Sequence, residues 1–466
     1  MGRIWAVARN LLLEVLRIRA LVVFLVLVLA VCTLGMAYWL WVGEGPGDEK
    51  VQTFLSYSLR FTGTVLSLLT MFLSVGSVTR DIQRREIFTI TTKPISRGQF
   101  LAGKALGLIV LNALLLGACG AVIFGCTHWL ARTAPRDEAE QRRLDELVLI
   151  ARRSVWPELV GVDQTQIEQE IQELCEQRIE QARRELVDPS ATELMSMRLT
   201  IQEETRNQVV LRYRSAAPGG HVVWRFEGVE PSSLQKGPLY LRYQYETAPD
   251  PEDSQVYGEW YFGPTRDVME QQRPVQTYNA TRTVHEGPIG AEALSPTGEL
   301  YVAFHNPILN YPSRVIFPLP EDDDVSLELL YVVGGFTGNF LRALAGIWLR
   351  LVFLALVGVA MGAWLSFPVA VLVVIVVFAL GIASNFILTA VKWGAGQEAA
   401  SLTGMLMQVL PRLAAYDPVG KVDRGRLVPW EMLGQQLFML IGIKGGLVTL
   451  FGYLIFRFRE LARVTV

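Results

Sequence analysis

Six apolar stretches, each long enough to cross a bilayer as a helix and each without Asp or Glu, constrain this chain more than any other feature of its sequence. They cover residues 20–41, 61–78, 105–128, 343–365, 368–391 and 437–456. The hydrocarbon core takes about 20 residues of helix, so these runs read as transmembrane helices. The first run is longer than the core of a secretory signal and lacks a clear small-residue cleavage site, which favours a retained helix. Only the short break Leu365-Ser366-Phe367-Pro368 separates the fourth run from the fifth.

The composition makes sense only through segregation. Hydrophobic residues reach 51% beside 19% charged ones, and one central block carries most of the charge. The formal net charge of −2, from 43 Lys+Arg against 45 Asp+Glu, excludes a basic nucleic-acid binder and an acidic disordered tail. Four cysteines in 466 residues exclude a disulfide scaffold. Cys32, Cys119 and Cys126 fall in apolar segments, and Cys175 stands alone in the polar block.

Orientation follows the Lys/Arg bias of the flanking segments. Arg3, Arg9, Arg17 and Arg19 precede the first span. Arg80, Arg84, Arg85, Lys93, Arg97 and Lys104 lie in the loop 79–104, and Arg457, Arg459 and Arg463 follow the last span. With six spans these three segments share one side, read as cytoplasmic. The loop 43–52 lies opposite and leans acidic through Glu44, Asp48 and Glu49. Residues 129–337 and the loop 392–436 are then extracytoplasmic, although Arg412, Lys421, Arg424 and Arg426 run against the bias there. Before the first span, Ile4, Trp5, Ala8, Leu11, Leu12, Val15 and Leu16 recur at helical spacing, which predicts an amphipathic helix lying in the cytoplasmic interface.

The chain thus divides into residues 1–128, with three spans, residues 129–337, and residues 338–466, with three more. The middle segment reads as an α+β insertion. Residues 135–187 carry two charged helical patterns, 137–153 and 165–186, which predict a helical hairpin. From about residue 198 onward come short aromatic and β-branched runs at 209–213, 222–226, 239–245, 258–262, 300–304, 315–317 and 327–333, separated by turn residues. These predict a β-sandwich over 198–335. Trp224, Tyr243, Tyr245, Trp260 and Tyr261 could form a sugar-binding platform, but aromatics at alternate strand positions more often face the core.

Few motifs carry chemistry. Gly98 to Lys104 fits G-x-x-x-x-G-K, yet Ala105 follows where a phosphate loop needs a hydroxyl, and no strand precedes it. Lys104 reads instead as a positive-inside anchor, and the chain as one that does not itself hydrolyse ATP. His128, His221, His285 and His305 are scattered without metal-ligand spacing. The acidic run 321–324 reads as a turn, and Asn279-Ala280-Thr281 fits a glycosylation acceptor that is frequent by chance. The absence of Asp and Glu from the spans argues against ion-coupled transport, which needs buried carboxylates. Arg60 and Arg342 can snorkel easily, and Arg350 with a longer reach. Lys444 is too central to do so, and predicts a contact with a partner subunit, a carbonyl cluster or an anionic substrate. Arg350 and Lys444 are the candidates for a translocation path.

The loop 79–104 is the most informative stretch. Arg80 to Ile90 predicts a short charged helix with Ile82, Ile87 and Phe88 as apolar knobs, limited by Pro94. Its segment Glu86-Ile-Phe-Thr-Ile-Thr-Thr-Lys-Pro94-Ile-Ser-Arg97-Gly-Gln-Phe-Leu-Ala-Gly-Lys104 resembles the E-x-x-T…P-x-S-R…G-K loop of ABC-2 family exporter permeases. Leu365-Ser366-Phe367-Pro368-Val369-Ala370 and Ile455-Phe456-Arg457-Phe458-Arg459-Glu460-Leu461 are similar to that family's later loop and closing pattern. The resemblance covers about half the chain and is silent on substrate. It implies six transmembrane helices of ABC-2 exporter type and pairing with a second permease subunit. It also implies docking of a separate cytoplasmic ATPase, which binds ATP and Mg, at the coupling residues Ile82, Arg85, Glu86, Ile87, Phe88, Pro94 and Arg97, with Glu86 and Arg97 holding the loop. Residues 394–430 would form short helices that dip back toward the membrane. No cofactor is expected in this chain. A non-transporting complex that signals through the insertion, and an enzyme acting on lipid-linked sugars, are the competing readings.

Overall fold

The computed structural model describes residues 2–17, 19–83, 96–135, 137–161, 164–185, 191–235, 237–318, 326–387 and 410–458. The chain divides into two compact units, Met1–Ala151 with Gly335–Val466, and Arg152–Gly334.

The first unit is helical. Its chain order is α1 (Gly2–Arg17), α2 (Arg19–Val42), α3 (Gly47–Gln83) and α4 (Arg97–Thr133), then the short α5 (Glu138–Arg143) and a π-helical turn, Leu144–Val148. Four helical runs among the described residues are long and apolar enough to cross a membrane: α3, α4, Phe336–Gly362 and Trp430–Phe458. They mark the chain as a membrane protein. Val31–Val42 and Phe367–Ile382 are shorter apolar helices. α3 outruns the expected span at both ends, so that residues 47–52 and 79–83 are helix rather than loop. Asp48 and Glu49 in its first turn sit where the helix dipole favours acidic side chains.

Small residues let these helices approach. α3 carries a buried stripe that includes Ser58, Ser67, Thr70, Ser74 and Thr79, whose hydroxyls donate to carbonyls of their own helix. A Cβ at Gly358 would lie 1.7 Å from the Ser74 Oγ, so only glycine fits that crossing. α1 is the amphipathic helix expected from its spacing, with Ala8 and Leu11 buried and Trp5 and Leu13 exposed. It crosses α4 at Gly103, where a Cβ would meet Val7 Cβ at 2.6 Å.

The second half of this unit begins with α9 (Phe336–Gly362) and α10 (Phe367–Ile382). The one-turn α11 (Val419–Val422) and α12 (Trp430–Gln436) follow. A π-helical segment, Leu437–Gly445, then leads into α13 (Gly446–Phe458). The other unit contains α8 (Val268–Gln271), a single turn.

That other unit is β-rich, with twelve strands assigned among the described residues. These are β1 (Ile150–Val155), β2 (Glu158–Leu159), β3 (Ser215–Ala216), β4 (His221–Phe226), β5 (Leu239–Tyr243), β6 (Glu246–Ala248), β7 (Gln255–Gly263), β8 (Val275–Ala280), β9 (His285–Ile289), β10 (Leu300–His305), β11 (Arg314–Ile316) and β12 (Leu327–Gly335). They form sheets of order β1-β12-β5-β9, β2-β4-β10-β7-β8 and β3-β11-β6. All three contribute to one buried cluster that includes Ala216, Trp224, Leu241, Trp260 and Val315.

Two expectations fail here. Residues 150–153 are strand, not the end of a helix, because Ile150–Val155 enters a sheet beside β12. Residues 209–213 are the last turn of α7 (Ala191–Tyr213), not a strand. Val209 is buried there against Ile171 and Cys175 of α6 (Gln164–Glu185), and this packing overrides the β preference of Val209-Val210. The helical hairpin is therefore α6 with α7, zipped by Arg206–Glu168 and Arg212–Glu170 pairs.

The imagined sugar platform is mostly core. Trp224, Tyr243, Tyr245 and Trp260 are buried, with Trp224 edge-on to Phe317 at 4.7 Å and Trp260 4.5 Å from Tyr243. Tyr261 is half-buried. Asn279 donates to the Tyr243 hydroxyl at 2.7 Å, which employs the amide a glycan would need. The acidic run 321–324 lies outside the described residues.

Candidate functional site

The described ends of the loop between α3 and α4 are locked into the helical unit. Ser96 caps α4 reciprocally. Its hydroxyl accepts from the Gln99 N–H at 3.2 Å, and the Gln99 side chain accepts from the Ser96 N–H at 3.1 Å. Arg97 then reaches the far end of the chain, its Nη1 donating to the carbonyls of Phe456 at 2.8 Å and Arg457 at 2.9 Å. Those carbonyls belong to the last turn of α13, where a helix has unsatisfied acceptors and a negative dipole end. The guanidinium also lies 5.9 Å from the Phe456 ring.

Two turns further on, Lys104 does something the sequence reading missed. It is not a lipid-facing anchor. Its Nζ lies 2.8 Å from Asp81 Oδ2, with the two side chains only 3% and 9% exposed. Glu14 of α1 stands 3.9 Å away, and the ammonium lies 5.7 Å from the Phe100 ring. The cluster ties α1, α3 and α4 together. Every conspicuous residue of the Gly98 to Lys104 motif thus has a packing role. Gly98 faces the Tyr453 ring, Gly103 admits α1, and Lys104 meets Asp81.

Among the proposed coupling residues, Ile82 packs against the core of the helical unit. Arg80 to Gln83 continue α3 rather than starting a new helix. Arg85, Glu86, Ile87, Phe88 and Pro94 lie outside the described residues.

The candidate path residues are placed as follows. Lys444 sits in the π-helical segment and donates to the Leu410 carbonyl. Arg350 on α9 is half-buried, and its Nε has no hydrogen-bond partner. Arg60 does not simply snorkel, since it pairs with Asp417 at 3.1 Å. Arg342 stacks 4.9 Å from the Trp430 ring.

Two further groups fasten the segment before α12, and neither stood out in the sequence. Asn339 is buried and clamps backbone on both sides, donating to the Arg426 carbonyl and accepting from the Val428 N–H, each at 2.7 Å. Asp423 is buried too, and burial pushes its carboxyl above the usual range. Ser56, Arg424 and Arg60 pull it down, and Asp417 pushes it up. Of the segment expected to dip back, residues 394–409 lie outside the described residues. Leu413 and Ala414 donate to the Gly381 carbonyl near the end of α10.

Among the described residues no group of three His, Cys, Asp or Glu side chains could hold a metal ion. No protein family, curated protein or solved structure matches the chain.

Proposed function

We propose that this chain is the permease subunit of an ATP-driven exporter of ABC-2 type. The loop 79–104, around residues 82–90, would receive a separate cytoplasmic ATPase, and ATP and Mg would be bound by that partner. One observation carries the reading: the loop leaves and re-enters the bundle at two fixed points, the buried Lys104–Asp81 pair and the Arg97 cap on α13. A push on such a loop is passed to α1, α3, α4 and α13 together, as a coupling element requires. α2 and α10 would complete six spans, and a second permease subunit would complete the assembly in the lipid bilayer. The β-rich unit would be extracytoplasmic, and both termini cytoplasmic. The cations Arg350 and Lys444, with no Asp or Glu in the six apolar runs of the sequence, favour an anionic, amphipathic or lipid-linked substrate.

A second reading keeps the ATPase and drops the cargo, with the ATPase driving a conformational output in the β-rich unit. That unit, with its own core, is large for a mere connector.

The test is co-expression of the tagged chain with each ABC-type ATPase of its host. One ATPase should co-purify, and scrambling residues 82–90 should abolish the association. Substrate-stimulated ATPase with efflux from proteoliposomes supports export, and robust ATPase without efflux supports the signalling reading. If no ATPase associates, or the scrambled loop binds as well, the proposal fails.

A further inference from the structure

Among the described residues the β-rich unit buries most of its large aromatic side chains, and three of the four exceptions collect in one place. Tyr257 of β7, Tyr278 of β8 and Tyr311 after β10 are 45%, 45% and 78% exposed. Trp156 is the other described aromatic of this unit that is exposed to a comparable degree. The three tyrosines line a single cleft of about 360 Å³. Concave sites with exposed aromatic walls are where small ligands bind, and this volume suits a headgroup-sized molecule rather than a polymer.

The walls are held in place. β7 and β8 pair antiparallel with Tyr257 opposite Tyr278, and the two rings lie 4.3 Å apart. The Tyr278 hydroxyl donates to Asp253. Asn310 accepts from the Tyr257 N–H at 3.1 Å and donates to its carbonyl at 2.6 Å, which fastens the segment bearing Tyr311 to β7.

Charge selects the ligand. Asp250, Glu252 and Asp253 line the cleft, and no Lys or Arg does. Arg282 answers Asp250 from outside at 2.9 Å, which leaves a negative surplus. Asp253 stays ionised at neutral pH, because hydrogen bonds from Tyr278 and the Gln255 backbone hold it below the usual carboxylate range. An anion would be repelled. A neutral sugar would gain from the rings and nothing from the surplus charge. A cation with apolar substituents gains from both, since tyrosine faces attract cations through the ring quadrupole.

We infer that this cleft binds a small organic cation of the alkylammonium type, free or as a lipid headgroup. The inference is independent of the permease reading.

The test uses the full chain in nanodiscs of phosphatidylglycerol, titrated calorimetrically with tetramethylammonium and with choline. Both should bind, and 3,3-dimethylbutan-1-ol, the uncharged counterpart of choline, should bind about tenfold more weakly or less. Tyr257→Leu and Tyr311→Ala should each weaken choline binding about tenfold. Tyr311 is so exposed that its variant should melt like the parent, which separates lost binding from lost folding. Dihexanoylphosphatidylcholine below its micelle concentration, binding tighter than choline, assigns a lipid headgroup. Weaker binding assigns a free cation. The inference is overturned if neither cation binds up to about 10 mM, if the alcohol binds as well as choline, or if both tyrosine variants bind like the parent.

Discussion

Lys104 Nζ and Asp81 Oδ2 stand 2.8 Å apart, almost closed off from solvent, where α3 ends and α4 begins. A buried ion pair adds little net stability over an apolar pair, but removing one partner strands the other charge. Lys104→Met should therefore destabilise the chain by about 3 kcal/mol. The double variant Lys104→Met with Asp81→Leu should recover most of that loss. Thermal unfolding in detergent reads both. Equal melting of the single and double variants would show that solvent already relieves the stranded Asp81 carboxylate.

Arg97 caps a helix end some 360 residues away in sequence, so its loss should be felt at the C-terminal end of α13 rather than in its own helix. Arg97→Ala should cost about 1–2 kcal/mol, the worth of a charge at a partly buried helix terminus. It should also speed hydrogen exchange of the amides in the last turn of α13. Arg97→Lys, which keeps the charge but not the fork of donors, should fall between. Exchange mass spectrometry resolves the segment, and unchanged protection there would refute the capping role.

What the sequence could tell follows from the range of each interaction. The apolar runs were legible because solvation by lipid is a property of the segment itself, and α1 because its stripe repeats locally. The partner of Lys104 was not legible. Asp81 lies 23 residues away on another helix, next to Arg80, and nothing local says which charge turns inward. The strand at 150–153 and the helix at 209–213 were misread for a related reason. Each segment takes its form from a neighbour, β12 in one case and α6 in the other, and its own pattern is ambiguous. On β7, alternation shows that Tyr257 and Trp260 face opposite ways, but only the sheet register shows which of them faces solvent. That is why the exposed tyrosines went unnoticed while core ones were considered as a platform. The capping of α4 by Ser96, written in Ser96 and Gln99, lay within reach of sequence reading.

Asn339 satisfies a buried carbonyl and a buried N–H in the segment leading to α12. Asn339→Ala leaves both without partners, and each buried orphan costs about 1–3 kcal/mol. The variant should expose the 424–430 segment to proteolysis well before the bundle unfolds. Limited proteolysis with fragment mapping checks this, and an unchanged cleavage pattern would mean that the segment is held by other contacts.

Asp423 gives a pH dependence of defined sign. Burial raises its carboxyl above the ordinary range, so the folded chain holds a proton more tightly than the unfolded one. Stability from this group is present at low pH and falls as pH rises from the unfolded value to the raised folded value. Above that window the full cost of a buried carboxylate remains. Asp423→Asn removes the titration, so its melting temperature relative to the parent should rise as pH increases from about 4 to about 8. Parallel melting curves across that range would rule out a titrating Asp423.

Lys444 donates to the Leu410 carbonyl from the π-helical segment, so the cation is tied to the backbone of the segment following α10. If the cation serves only to hold that backbone, Lys444→Met should lower the melting temperature and leave turnover per folded molecule intact. If it also meets an anionic cargo, as proposed, Lys444→Met should still assemble with its ATPase but lose most substrate-stimulated hydrolysis. Lys444→Arg would then restore part of it, because charge survives while the reach to Leu410 changes. Hydrolysis measured on co-purified complex, normalised to folded protein, separates the two. Assembly and transport both intact in Lys444→Met would remove this residue from the translocation path and leave Arg350 as the remaining candidate among the proposed path residues.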